Sequence, residues 1–96
     1  MRFLNRFDKE WKKTRVLLNE ARTELLKLNG TDAYIAEYDK YLVHNELELA
    51  LDMLEEAATR TEEEPPEEIW LILKKAAESM GLDERCPFYL QQLKKD

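Results

Sequence analysis

Leu4, Phe7, Trp11, Thr14, Leu18, Ala21, Leu25 and Leu28 recur at alternating intervals of three and four along the first thirty residues. That spacing draws one continuous apolar stripe down a helix, interrupted only at Thr14, and no strand accommodates it. A helix of this length needs a partner surface for its stripe. Either the rest of the chain supplies it, as the mixed side-chain sizes Trp, Thr and Ala favour, or a second copy does, as in a coiled-coil seam. Asn29-Gly30 ends the segment, with Gly30 suited to a left-handed cap.

Thr31 or Asp32 is expected to cap a second helix that reaches about His44 and carries Tyr34, Ile35, Tyr38, Tyr41 and Leu42 on one stripe. Three tyrosines there fit a core rim whose hydroxyls find partners, with a binding surface as the rival. Asn45, followed three residues later by Glu48, matches a capping box. A third helix from about Glu46 to Thr59 would then turn Leu47, Ala50, Leu51, Leu54, Ala57 and Ala58 inward. Residues 61–68 read as a loop stiffened by Pro65-Pro66, after which Glu67 and Glu68 open a fourth helix running to about Met80. Ile69-Trp70-Leu71-Ile72-Leu73 is apolar all round, so that helix should be central, and Gly81 should stop it with Leu82 packing back. A short last helix begins near Pro87 with Phe88, Tyr89 and Leu93 inward, and the tail from Lys94 to Asp96 should fray. Two glycines and three prolines leave little room for the tight turns of a β fold. The expectation is an all-α, single-domain bundle over residues 1–96, of four main helices plus a short C-terminal one.

Charge is distributed unevenly along the chain. Residues 46–68 hold ten acids and one base, Arg60, whereas residues 1–30 hold eight bases and four acids. With the overall balance at −6, nucleic acid and anionic membrane are poor ligands, and the acidic half is where a basic partner would dock. A solvated face is the plainer account of such a charge run. The acids, however, continue from one helix across a stiff loop into the next, which makes a preformed patch. The bases of the first helix are expected to pair with this acidic half.

Chemistry is sparse. His44-Asn45-Glu46 has an H-x-E spacing, but one cysteine, Cys86, cannot complete the two-thiolate zinc site that this spacing serves in deaminases. His44 is better read as a helix-end residue on last-turn carbonyls. Ser79, the only serine, lacks the glycines of a nucleophile elbow, and Gly30 and Gly81 cannot build a phosphate loop. Cys86 has no base beside it in sequence. No catalytic group, metal site or cofactor is expected. A single thiol, no signal peptide and no apolar run longer than five residues (69–73) point to a cytoplasmic protein.

The segment Tyr41-Leu42-Val43-His44-Asn45-Glu46-Leu47-Glu48-Leu49-Ala50-Leu51-Asp52-Met53-Leu54-Glu55 resembles the central motif of small bacterial immunity proteins of the MafI type: a helix end, a polar pair, a glutamate, then an apolar-Ala-apolar helix followed by acids. The acidic loop and the closing Met80-Gly81-Leu82 extend the resemblance over residues 35–82. It implies a small helical cytoplasmic protein that neutralises a toxin domain, often a nuclease, of a polymorphic or contact-dependent inhibition system. It also implies Glu46, Glu48, Asp52 and Glu55 as toxin-facing positions. The acidic patch adds Glu56, Glu62, Glu63 and Glu64. The alternative is a non-enzymatic adaptor that self-associates through the first helix, possible as a homodimer. Burial of Leu18 and Leu25 within the monomer would count against it.

Overall fold

The computed structural model describes residues 2–93, with side chains described from residue 11 onward. It is all-α: α1 (Arg2–Leu25), α2 (Asp32–Val43), α3 (Leu47–Arg60), α4 (Glu67–Ser79), a 3₁₀ turn at Asp83–Arg85 and α5 (Cys86–Leu93). No strand occurs among the described residues. α1 packs on α4 and α3, α2 packs on α3, and α5 closes over α4.

The core forms where these stripes meet. Leu18, Ala21 and Leu25 of α1 are fully buried with Ala50, Leu51, Leu54 and Ala57 of α3, and with Ile69, Leu73, Ala76 and Ala77 of α4. All six inward positions expected for α3 are buried. Small alanines on α3 and α4 let the helices approach closely, and the large side chains fill the space between. The α1 stripe from Leu18 to Leu25 is therefore covered within one chain. Leu4 and Phe7 lie outside the residues whose side chains are described, as does the tail from Lys94 to Asp96.

Trp11 departs from the expected stripe: it is 42% exposed. Thr14 hydrogen-bonds Ser79, the last residue of α4, so α4 ends level with Thr14. One turn earlier α1 has no α4 to pack on, and Trp11 instead borders a hollow lined by Leu47, Met80 and Leu82. Leu71 is the second departure, 44% exposed while Ile69, Trp70, Ile72 and Leu73 are buried. α4 lies against α1, α3 and α5, yet one face remains open and Leu71 is on it.

Helix ends are set by chemistry that differs in part from the sequence expectation. The last turn of α1 tightens, with Lys27 N–H on Glu24 O and Leu28 N–H on Leu25 O. Gly30 then takes the left-handed conformation at φ 80°. Thr31 occupies the N-cap position of α2 but makes no side-chain cap bond there. Its buried hydroxyl points back and donates to Leu25 O at 2.9 Å and Leu28 O at 3.2 Å. Thr31 is thus the N-cap of α2 by position, its carbonyl accepting the Ile35 N–H at 3.0 Å, while its side chain serves the end of α1, because the four last carbonyls of a helix need donors as much as the first amides need acceptors. Asn45, by contrast, is no N-cap. It sits at φ 59° as the left-handed residue after α2, with Asn45 N–H on Leu42 O at 3.0 Å and Glu46 N–H on Tyr41 O at 2.9 Å. Those two bonds make a Schellman motif, and Glu46 stands at the α3 N-cap without a side-chain cap bond. Gly81 repeats the motif after α4, with Gly81 N–H on Glu78 O and Leu82 N–H on Ala77 O, and Leu82 packs back on the core as expected.

Candidate partner-binding surface

Arg85 sorts the acids into two groups. From the 3₁₀ turn its guanidinium reaches Asp52 Oδ1 at 2.6 Å, and Glu55 Oε1 and Glu48 Oε2 at 3.4 Å each. Asp52, Glu55 and Glu48 lie on one face of α3 at i, i+3 and i−4, so one cation spans them. Tyr89 of α5 is fully buried and donates its hydroxyl to Glu55 Oε1 at 3.2 Å. Burial pushes the Glu55 carboxyl above the ordinary carboxylate range, against the opposing pull of Tyr89 and Arg85. Burial, with the neighbouring Glu55 charge, also raises the Tyr89 hydroxyl. Three acids implied as toxin-facing therefore bind α5 and its 3₁₀ turn to α3. Glu56 is held along its own helix by Arg60 at 3.1 Å.

Among the described residues no base of α1 pairs with an acid of residues 46–68; Arg2, Arg6 and Lys9 lie outside the residues whose side chains are described. Arg22 grips Asp39 of α2 with two bonds of 2.8 and 2.9 Å, and that pairing raises the guanidinium pKa. Lys27 pairs with Glu24 of its own helix. Arg15 donates to Leu42 O at 3.0 Å and to Asn45 Oδ1 at 3.2 Å. Arg15 is thus the side chain on the last carbonyls of α2, while His44 is exposed at the C-cap. Among the described residues Arg85 is the cation that pairs with most acids of residues 46–68, and no linear motif marks it.

The remaining acids lie at the two ends of α3: Glu46 at its N-cap, and Glu62 to Glu68 in the loop after it and the first turn of α4. Glu46, Glu62, Glu64, Glu67 and Glu68 are exposed and make no ion pair among the described residues. The loop that carries Glu62 and Glu64 is nonetheless fixed. Thr61 donates its hydroxyl to Asn29 O at 2.7 Å, and Glu63 Oε2 accepts the Asn29 N–H at 2.6 Å. Glu63 N–H then closes on Thr61 Oγ1 at 3.3 Å. Pro65 and Pro66 stiffen the remainder. Glu63 is therefore half structural, and Glu62 and Glu64 on either side of it face water beside a hollow of about 240 Å³ floored in part by Trp70.

The reactive side chains have ordinary structural roles here. Ser79 donates to Ala76 O at 2.7 Å, which leaves Thr14 as the donor in the Thr14–Ser79 bond. The Cys86 thiol is half-buried, and burial followed by the charge of Glu78 raises its pKa, lowering its thiolate fraction. Among the described residues no group of three His, Cys, Asp or Glu side chains is placed to hold a metal ion, and no helix is long and apolar enough to cross a membrane. Compared with family models, with curated proteins and with solved structures, the chain matches none.

Proposed function

We propose that this protein is a non-catalytic, cytoplasmic immunity protein that binds a basic toxin domain through the acids around the α3–α4 loop. The observation that carries the reading is a set of exposed carboxylates without basic partners among the described residues, Glu62 and Glu64 on a loop pinned to Asn29 and Glu67 and Glu68 in the first turn of α4. Uncompensated charge on a rigid support raises the association rate for a cationic surface and loses little entropy on docking. The resemblance of residues 35–82 to MafI-type immunity proteins supplies the class of partner. Self-association through the α1 stripe is the weaker reading, since Leu18 and Leu25 are fully buried within one chain.

The test is a pull-down of the tagged protein from its native host at low salt, followed by calorimetry with the stoichiometric partner. A single basic fragment bound with strong salt dependence is expected. Charge reversal of Glu62, Glu64, Glu67 and Glu68 should slow association and flatten that salt dependence. Recovery of the bait alone, as a dimer, would favour the adaptor reading. Unchanged binding by the reversed variant would sink the electrostatic mechanism.

A further inference from the structure

We infer that the hollow beside the α3–α4 loop seats one arginine residue of the partner, its guanidinium on Glu62 and Glu64 and its own backbone carbonyl on the indole N–H of Trp70. This rests on the reading of these acids as the docking surface and adds what that surface recognises. Thr59, Thr61, Glu62, Glu64, Trp70 and Gln92 are among the residues around the hollow, whose volume is about 240 Å³. That is smaller than the pockets that take a whole drug-sized ligand, and it suits a single side chain.

Carboxylates alone do not define a ligand, and the second observation is Trp70. Its side chain is almost wholly out of water, packed against Phe88 at 5.9 Å and Tyr89 at 6.3 Å between ring centres. Its one polar group, the indole N–H, has no hydrogen-bond partner among the described residues. Yet no buried side-chain nitrogen or oxygen among them is sealed from solvent without a partner. The N–H is therefore reached from outside, and the hollow is the open space that Trp70 lines. An indole N–H only donates and needs an acceptor, whereas ionised Glu62 and Glu64 only accept and need donors. The neighbouring groups are already engaged. Glu63 accepts the Asn29 N–H at 2.6 Å, Thr59 donates to Glu55 O at 2.6 Å, and Gln92 donates to Phe88 O at 3.4 Å. An occupant must thus bring an acceptor to Trp70 and donors to the loop. A bare cation brings no acceptor, and an anion meets the carboxylates unfavourably. Lysine is a point charge, where two carboxylates two positions apart ask for a fork. An arginine residue in a peptide brings both, with five N–H donors in a planar fork and a carbonyl on the same residue.

The probe is N-acetyl-arginine N-methylamide, titrated into the full, isotope-labelled chain and followed at the indole N–H. The chain has two tryptophans, so Trp11→Phe leaves the Trp70 resonance alone. A saturable downfield shift of that resonance is expected. Two truncated probes separate the two contacts: n-butylguanidinium lacks the carbonyl, and N-acetyl-alanine N-methylamide lacks the cation. Each should bind about tenfold more weakly than the arginine probe. Glu62→Gln combined with Glu64→Gln should bring the arginine probe down to the level of the alanine probe. The unliganded indole resonance should keep its position in that variant, which shows that the fold is intact. Equal responses to the arginine and alanine probes, an unmoved Trp70 resonance, or amide shifts centred on Glu67 and Glu68 would overturn the inference. Because the probe is not the toxin, the two readings fail separately. A toxin captured without any indole shift keeps the docking surface and removes the arginine seat.

Discussion

Arg85 Nη1 lies 2.6 Å from Asp52 Oδ1, a contact that spans 33 positions of sequence and joins the 3₁₀ turn to the middle of α3. The guanidinium is only 20% exposed, and two further carboxylates lie within 3.4 Å of it. Replacing Arg85 by Met keeps the apolar stem and removes the cation. The expected loss is about 1.5–3 kcal/mol, the range for bonds to charged groups. Urea unfolding should show it, and the loss should shrink at high salt, where the three orphaned carboxylates repel less.

Glu55 gives stability a pH dependence of definite sign. Its folded pKa is raised, mainly by burial, so the native state holds this proton more tightly than the unfolded chain. The associated stability is fully present below the ordinary carboxylate range and is lost as pH rises through the folded value. Glu55→Gln has no such proton to lose. From about pH 4 to about pH 7 wild type should therefore lose stability relative to Glu55→Gln, measured as the difference in urea midpoints. A difference that moves the opposite way would mean that attraction to Arg85 outweighs burial.

Thr31→Val preserves shape and deletes the hydroxyl that serves Leu25 O and Leu28 O. The site is fully buried, so water cannot replace the donor. A loss of about 1–2 kcal/mol is expected by calorimetry. Amide exchange should accelerate in the last turn of α1, not in the first turn of α2.

Asn45 tests the left-handed turn. At φ 59°, Asn45→Ala should cost about 1 kcal/mol. Asn45→Gly relieves the strain but forfeits the exposed bond from Arg15, and should lie within about 0.5 kcal/mol of wild type. Equal losses for the two variants in urea unfolding would show that the left-handed backbone at this position carries no strain.

Where periodicity decides burial, the structure could be read from the sequence. Leu47, Ala50, Leu51, Leu54, Ala57 and Ala58 follow from spacing alone, because one face of an isolated helix is already defined before it packs. Spacing is silent about where a neighbouring helix stops, and so it places Trp11 and Leu71 in the core, whereas both are exposed in the structure. The local motif misleads at Asn45, which is not the α3 N-cap, and at Thr31 it gives the N-cap position but not the side-chain bond, since the residue types that accept from amides at a helix start also serve carbonyls or left-handed turns at a helix end. The candidate site was least legible. Nothing in linear order shows that Arg85 folds back on Glu48, Asp52 and Glu55.

The two tryptophans occupy opposite environments. Trp70 is 4% exposed and packs edge-on against Phe88 and tilted against Tyr89, while Trp11 stands 42% exposed beside Met80 and Leu82. The molecule therefore carries two intrinsic fluorophores with separable spectra. A soluble quencher added to the native protein extinguishes the red-edge emission of Trp11 first and leaves the blue emission of Trp70. Release of α5 lets the quencher reach the second indole, so one optical trace distinguishes detachment of the C-terminal helix from events around Trp11 on α1.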